Sequence, residues 1–172
     1  MSALPIALSC EALRAVVIGA GTVGTRKALK LHEAGAFVRV VAPRVSPILI
    51  ETAEASGRLK IEHRDYAGAQ DIGDAELVFA ATDSHTVNEQ VARDARALHR
   101  LINVASNGSD GNFISMAVHR AGRITIGVSA GGVPAAAVEI RDAIAGRLED
   151  LVTQDVESMA RERSRTIASE SR

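Results

Sequence analysis

The sequence predicts an α/β fold: a doubly wound parallel sheet, then a small α+β segment and a C-terminal helix. Three observations predict it. The β-branched run Arg14-Ala15-Val16-Val17-Ile18 stops at Gly19-Ala20-Gly21-Thr22-Val23-Gly24, a G-x-G-x-x-G turn that opens onto helical spacing. Strand-like and helix-like segments then alternate as far as Ala105, the rhythm that builds parallel sheets. After Ser106 the rhythm breaks at Asn107-Gly108-Ser109-Asp110-Gly111, a turn cluster that suggests a boundary. The first two features together describe a Rossmann-like sheet.

Each element has a local reason. From Thr22 to Ala34, Val23, Ala28, Leu29, Leu31 and Ala34 fall near helical spacing, and Gly35 sits where a helix favours glycine just beyond its end. Phe37–Val41 is a second strand, closed by Ala42-Pro43. Ser46 caps a helix with Pro47 at its first position, a place where the missing N–H costs nothing. Leu59–His63 alternates as a strand, 65–75 is turn-rich, and Leu77–Ala81 is an apolar strand. Asp83 or Ser84 caps a helix reaching about His99, and Leu101–Ala105 is the fifth strand. Phe113–Val118 and Arg123–Val128 form a hairpin around His119–Gly122, and a helix follows from Ala135 to Leu148. The expected organisation is a dinucleotide-binding domain over 1–112, a hairpin and helix over 113–150, and a polar tail, helical or disordered, over 151–172.

Composition removes several classes of function. The 172 residues are 47% hydrophobic and 24% charged, which excludes bulk disorder. A formal charge of −1 with 2% aromatics and no Trp argues against nucleic-acid binding, which needs clustered cations or stacking platforms. Cys10 is the only cysteine, so an intrachain disulfide and a cysteine-rich zinc site are both excluded. No secretory signal or membrane span is legible, and a cytoplasmic location is expected.

The glycine loop carries chemistry through its backbone. Gly19 permits the tight turn, Gly21 lets the chain approach a pyrophosphate, and Gly24 lets helix and strand pack closely. The amides opening the helix, with the helix dipole behind them, face the phosphates. The acidic residue expected after the second strand for a ribose 2′-hydroxyl is missing, and Ala42-Pro43-Arg44 stands there. Arg44 either pairs a 2′-phosphate, favouring NADP, or stays solvated while backbone holds the ribose of NAD. Thr82 and Asp83 lie at the carboxyl edge of the fourth strand, where such folds place ligands, and Asp83 is equally suited to capping a helix. The five histidines are scattered without metal-ligand spacing, so no metal site is expected.

Taken in order, several motifs make a more specific pattern. They are Leu4-Pro5-Ile6, the loop Gly19–Gly24 with Arg26-Lys27, Val41-Ala42-Pro43, and Ala80-Ala81-Thr82-Asp83 with Thr86-Val87-Asn88. Asn103-Val104-Ala105, Gly111-Asn112-Phe113-Ile114 and Val128-Ser129-Ala130-Gly131-Gly132 follow. Over about residues 3–150 the chain resembles the precorrin-2 dehydrogenase/sirohydrochlorin ferrochelatase family, the N-terminal module of siroheme synthases. The resemblance implies oxidation of precorrin-2 to sirohydrochlorin with NAD, in some members insertion of ferrous iron or cobalt, and a homodimer built by the segment after the first domain. It places dinucleotide contacts on Thr22, Val23, Pro43 and Arg44.

One position departs from the family. An aspartate is usual just after the fifth strand, in an Asn-Val-x-Asp pattern, and is thought to act as a base; here Ser106 and Asn107 follow Ala105. A serine hydroxyl without an activator is a poor base at neutral pH. Asp110, four residues on, is the candidate replacement, and its alternative role is that of a turn residue. Chelation, which strips pyrrole protons, suffers more from this change than hydride transfer does. For the polycarboxylate tetrapyrrole, the candidates are amides near Ser129, Gly131 and Gly132 together with Arg120 and Arg123. The competing reading is a non-catalytic regulatory module that binds dinucleotide or tetrapyrrole.

Overall fold

The computed structural model describes residues 4–106, 108–122 and 124–152, with side chains described as far as 147. Asn107, Arg123 and residues 153–172 of the polar tail expected over 151–172 lie outside the described residues. The chain divides into two units, one running to Ile114 and one beginning at Ser115.

The first unit is a five-stranded parallel sheet in the order β3-β2-β1-β4-β5. β1 is Arg14–Ile18, α1 Thr22–Glu33, β2 Phe37–Val41, α2 Pro47–Ala55, β3 Leu59–Glu62, β4 Leu77–Ala80, α3 His85–Ala97 and β5 Leu101–Val104. β1 pairs with β2 on one side and β4 on the other, both in parallel, so the order in which the chain adds strands reverses between β1 and β4. This is the doubly wound architecture that the glycine turn and the alternation predict.

Both faces of the sheet are covered, which is why β1, β2 and β4 read as largely apolar runs, while the edge strand β3 alternates. Val17, Val38, Val40 and Phe79 pack with Ala28 and Leu31 of α1 and Leu49 of α2. Val16, Ile18, Val78 and Ile102 pack on the opposite face with Val91, Ala92 and Ala95 of α3. Burial of each such valine or isoleucine side chain is worth about 1.5–3 kcal/mol. Gly35 takes φ +92° after α1, where the amides of Gly35 and Ala36 turn back to the carbonyls of His32 (2.9 Å) and Leu31 (3.1 Å). Ser84, not Asp83, caps α3, its hydroxyl accepting from the Val87 amide.

The second unit holds β6 (Ala117–Ala121), β7 (Ile124–Val128) and α4 (Pro134–Val152). The hairpin exists, but its first strand lies further along the chain than the apolar run Phe113–Val118 suggests. Ala121 pairs with Ile124 and His119 with Ile126, so the connection is a two-residue loop with Gly122 at φ +55°. Short loops of this kind need a positive φ that suits the twist of the strands, and the glycine supplies it. Phe113 is not in the strand. Its ring meets Phe79 edge-on in the first unit at 5.4 Å.

Between β3 and β4 the chain crosses the sheet edge through a charged clasp. Asp71 is 2% exposed and its carboxylate receives both guanidinium branches of Arg64 at 2.8 Å and the Ala67 amide at 2.7 Å. Arg64 also pairs with Glu62, which Arg39 of β2 meets at 3.2 Å. The Arg64 guanidinium holds the Asp71 carboxyl below the usual carboxylate range. That stability is present above the unfolded pKa near 4 and is lost as pH falls toward the lower folded value. Asp71→Asn should cost about 2–3 kcal/mol at neutral pH and flatten the fall of stability below about pH 4, read by denaturant unfolding across pH.

Candidate functional site

The turn between β1 and α1 is built by contacts that only glycine allows. Gly19 adopts φ +96°, and a Cβ there would lie 2.5 Å from the Ala81 carbonyl oxygen at the end of β4. A Cβ on Gly24 would lie 2.0 Å from the Gly19 carbonyl oxygen. Gly21 is different. Its φ is −66°, and a Cβ there would meet no protein atom within 4 Å. The first and third glycines therefore serve the fold, while the second keeps open a surface that belongs to whatever docks on the loop.

That surface is the rim of a cavity of about 880 Å³ at the carboxyl edge of the sheet, a size suited to an extended organic ligand. Gly21 caps α1 without a side-chain hydrogen bond, and the first turn carries no acidic residue. The opening amides of a twelve-residue helix thus point toward the cavity with the dipole behind them. Thr25 fixes the loop from within: its hydroxyl donates to the Ala20 carbonyl at 3.0 Å and meets the Ser46 hydroxyl at 3.2 Å. Ser46, foreseen as a helix cap, makes no cap hydrogen bond and ties α2 to the glycine loop instead. Arg26 and Lys30 of α1 line the wall, and burial, with these two charges beside it, lowers the neighbouring Lys27 ammonium to about 8. Lys27 lies 4.7 Å over the Phe79 ring.

Pro43 and Arg44 line the cavity beyond β2, both exposed, and the Arg44 side chain makes no hydrogen bond or ion pair with another described residue. Thr82 and Asp83 line it beyond β4. Thr82 is held by Asn88, which is 1% exposed on α3. The Asn88 side-chain carbonyl accepts from the Thr82 amide (3.1 Å) and hydroxyl (2.8 Å). Its amide donates to the Thr82 carbonyl (3.0 Å) and the Ser106 hydroxyl (3.3 Å). A buried primary amide is thereby satisfied at both ends, and it fastens the chain after β4 to the chain after β5.

Ser106 is exposed, accepts from Asn88, and is not among the residues lining the cavity. Asp110 closes a 3-10 turn, Gly108–Asp110, which Arg96 of α3 secures through the Asp110 backbone carbonyl. Asp110 does not line the cavity either. In the second unit, Arg120 is exposed on β6, while Ser129, Gly131 and Gly132 lie in the exposed loop before α4. Since α4 opens at Pro134, these three precede the helix and do not form its first turn. Gly131 and Gly132 both take positive φ, +57° and +92°. Among the described residues no group of three or more His, Cys, Asp or Glu could hold a metal ion, and no helix is long and apolar enough to cross a membrane.

Sequence reasoning gave Asn88 no role and missed the Arg64–Asp71 clasp. Asn88 had a legible signal: it falls with Val91, Ala92 and Ala95 on the buried stripe of α3, where a polar residue must find partners. Arg64 and Asp71 carry no such signal, because charged residues in a turn-rich segment look the same whether paired or solvated.

Residues 6–117 match the NAD_binding_7 family, described as "Putative NAD(P)-binding". The chain is 37% identical to a siroheme synthase of Chromobacterium violaceum over 163 residues, 94% of this chain and 33% of that protein. It is 30% identical to a precorrin-2 dehydrogenase of Priestia megaterium over 150 residues, 87% of this chain and 73% of that one. The structure of the precorrin-2 dehydrogenase SirC superposes with a TM-score of 0.71 at 29% identity, covering 84% of this chain and 71% of that chain. The chain spans about a third of the length of the siroheme synthases it matches.

The three glycines make separable predictions. Gly24→Ala should destabilise the protein by more than about 3 kcal/mol, because a backbone carbonyl must move. Gly21→Ala should leave the melting temperature nearly unchanged and weaken dinucleotide binding about tenfold or more, since its methyl fills ligand space. Thermal melts and titration calorimetry on the two variants check this pair.

Proposed function

The chain belongs to the precorrin-2 dehydrogenase family, and we propose that it oxidises precorrin-2 to sirohydrochlorin, a step of siroheme biosynthesis, with a nicotinamide dinucleotide as hydride acceptor. The observation that carries this reading is the likeness to a precorrin-2 dehydrogenase over 73% of that protein's length, well beyond the glycine loop. The open face of Gly21, the helix amides without a side-chain cap and the cavity of about 880 Å³ fit a dinucleotide. Bound there, the cofactor supplies the acceptor for a hydride, and the proton lost in the same two-electron oxidation leaves separately.

The chain's own residues divide the work. The amides of Thr22, Val23 and Gly24, with Arg26 and Lys30, hold the pyrophosphate. Pro43 and Arg44 hold the adenosine ribose. Thr82 and Asp83, fixed through Asn88 and Ser84, border the nicotinamide half. With no carboxylate after β2 and an arginine without a partner there, the site takes NADP as well as NAD. Ser106 acts through its hydrogen bond to Asn88, and Asp110, which does not line the cavity, is the proposed acceptor of the departing proton. For the substrate's carboxylates, Arg120 and the loop amides of Ser129, Gly131 and Gly132 are the donors. Insertion of ferrous or cobalt ion is the secondary activity, because Ser106 stands where the resemblance puts a carboxylate. The protein acts as a cytoplasmic homodimer; exposed Val118, Val138, Ile140 and Ile144 of the second unit supply an apolar face for a second copy.

Anaerobic incubation with precorrin-2 and either dinucleotide should produce the sirohydrochlorin spectrum with stoichiometric reduced cofactor. Binding of both ligands without reduction would replace this reading by a regulatory one. Arg44→Ala should raise the Kd for NADP about tenfold or more while changing that for NAD by less than about threefold. Asp110→Ala should lower kcat of dehydrogenation about a hundredfold; an unchanged rate would return the proton to water.

A further inference from the structure

We infer that Asp65 reads the 6-amino group of the dinucleotide's adenine and so sets the preference for an adenine base. The inference rests on the dinucleotide reading above and adds the residue that recognises the base. Asp65 lines the cavity beyond β3, exposed, and its carboxylate takes part in no hydrogen bond or ion pair among the described residues. The order of the strands says which part of the ligand it meets. The phosphate loop follows β1, Pro43 and Arg44 follow β2, and Asp65 follows β3, so the walls succeed one another outward from the switch point. A dinucleotide with its pyrophosphate on the first wall and its ribose on the second presents its purine to the third.

Asp65 is also held in place on both sides. Asp71 grips Arg64 before it through two hydrogen bonds of 2.8 Å, and the Ala67 amide after it at 2.7 Å. Arg64 donates to the Asp65 carbonyl at 3.1 Å, and the Tyr66 hydroxyl donates to Asp94 of α3 at 2.8 Å. The neighbouring cation is thus committed to Asp71 and Glu62 and does not neutralise Asp65. An unpaired carboxylate on a cavity wall, carried by backbone held on both sides, accepts from a donor. The 6-amino group of adenine is a donor, whereas the 6-oxygen of hypoxanthine is an acceptor that a carboxylate repels.

The test is titration calorimetry of the full chain with NAD and nicotinamide hypoxanthine dinucleotide, and with the corresponding pair of 2′-phosphates. The wild type should bind the adenine member about tenfold tighter in each series. Asp65→Ala should bind both members equally, and Asp65→Asn, whose amide can donate to the 6-oxygen, should level or invert the preference, with melting temperatures confirming intact folds. Equal affinities in the wild type, or a preference that survives Asp65→Ala, would overturn the inference and leave the dinucleotide reading standing. Absence of binding by every dinucleotide would overturn both.

Discussion

The structure depends on one close approach of backbones at the switch point of the sheet. The Gly19 carbonyl occupies the space a side chain on residue 24 would need, and the Gly19 α-carbon is pressed on the Ala81 carbonyl. Three elements, β1, α1 and β4, meet there without side chains between them. The contact aims the start of α1 along the carboxyl edge of the sheet, and the Gly19 amide bonds the Val41 carbonyl at 2.9 Å to bring the end of β2 into the same corner. Moving α1 outward by the width of a methyl group would separate its opening amides from the walls contributed by Pro43 and Thr82. The packing constraint and the binding site are one arrangement.

A second constraint works through a neutral group. Asn88 satisfies its amide on Thr82 and Ser106 in a place where burying a charge would be costly. Buried, with its side-chain hydrogen bonds committed, it fastens the loop after β5 to the loop after β4, which lines the cavity. The far end is held by buried Asp71 with Arg64, Glu62 and Arg39 at the sheet's edge, whose charges are part-exposed and partly screened by water. One end is rigid because a polar group is buried and fully paired. The other is rigid because several charges share one clasp.

The fold was legible because its signals are local and repeated. β1, β2 and β4 are largely apolar runs, β3 alternates, and the glycine turn sits between a strand and a helix at the spacing a phosphate loop needs. The hairpin register was not legible, because Phe113 and Ile114 extend an apolar run whose packing partner is Phe79 rather than β7. At the site, the backbone-made parts could be read from glycines and a missing acid. Asn88 could have been read from its place on an apolar stripe. Arg64, Asp65 and Asp71 could not, since pairing between charged residues seven positions apart in an irregular turn depends on how the chain crosses the sheet edge.

Ser106 gains a physical meaning from these two ends. A carboxylate at position 106 would receive the Asn88 amide as a charge-assisted donor and would be steadied as an anion. A serine takes the same hydrogen bond without bringing charge, so the Asn88 network stays neutral and the loop after β5 keeps its tether. For the proposed hydride transfer, the position of the reacting carbon and its acceptor governs the rate, and the tether helps hold Thr82, which lines the cavity. Stripping protons from pyrrole nitrogens needs a base of suitable pKa, which the tether cannot supply. Under the proposed function, Ser106 keeps the tether to Asn88 and leaves metal insertion, the secondary activity, without the carboxylate that the resemblance places there.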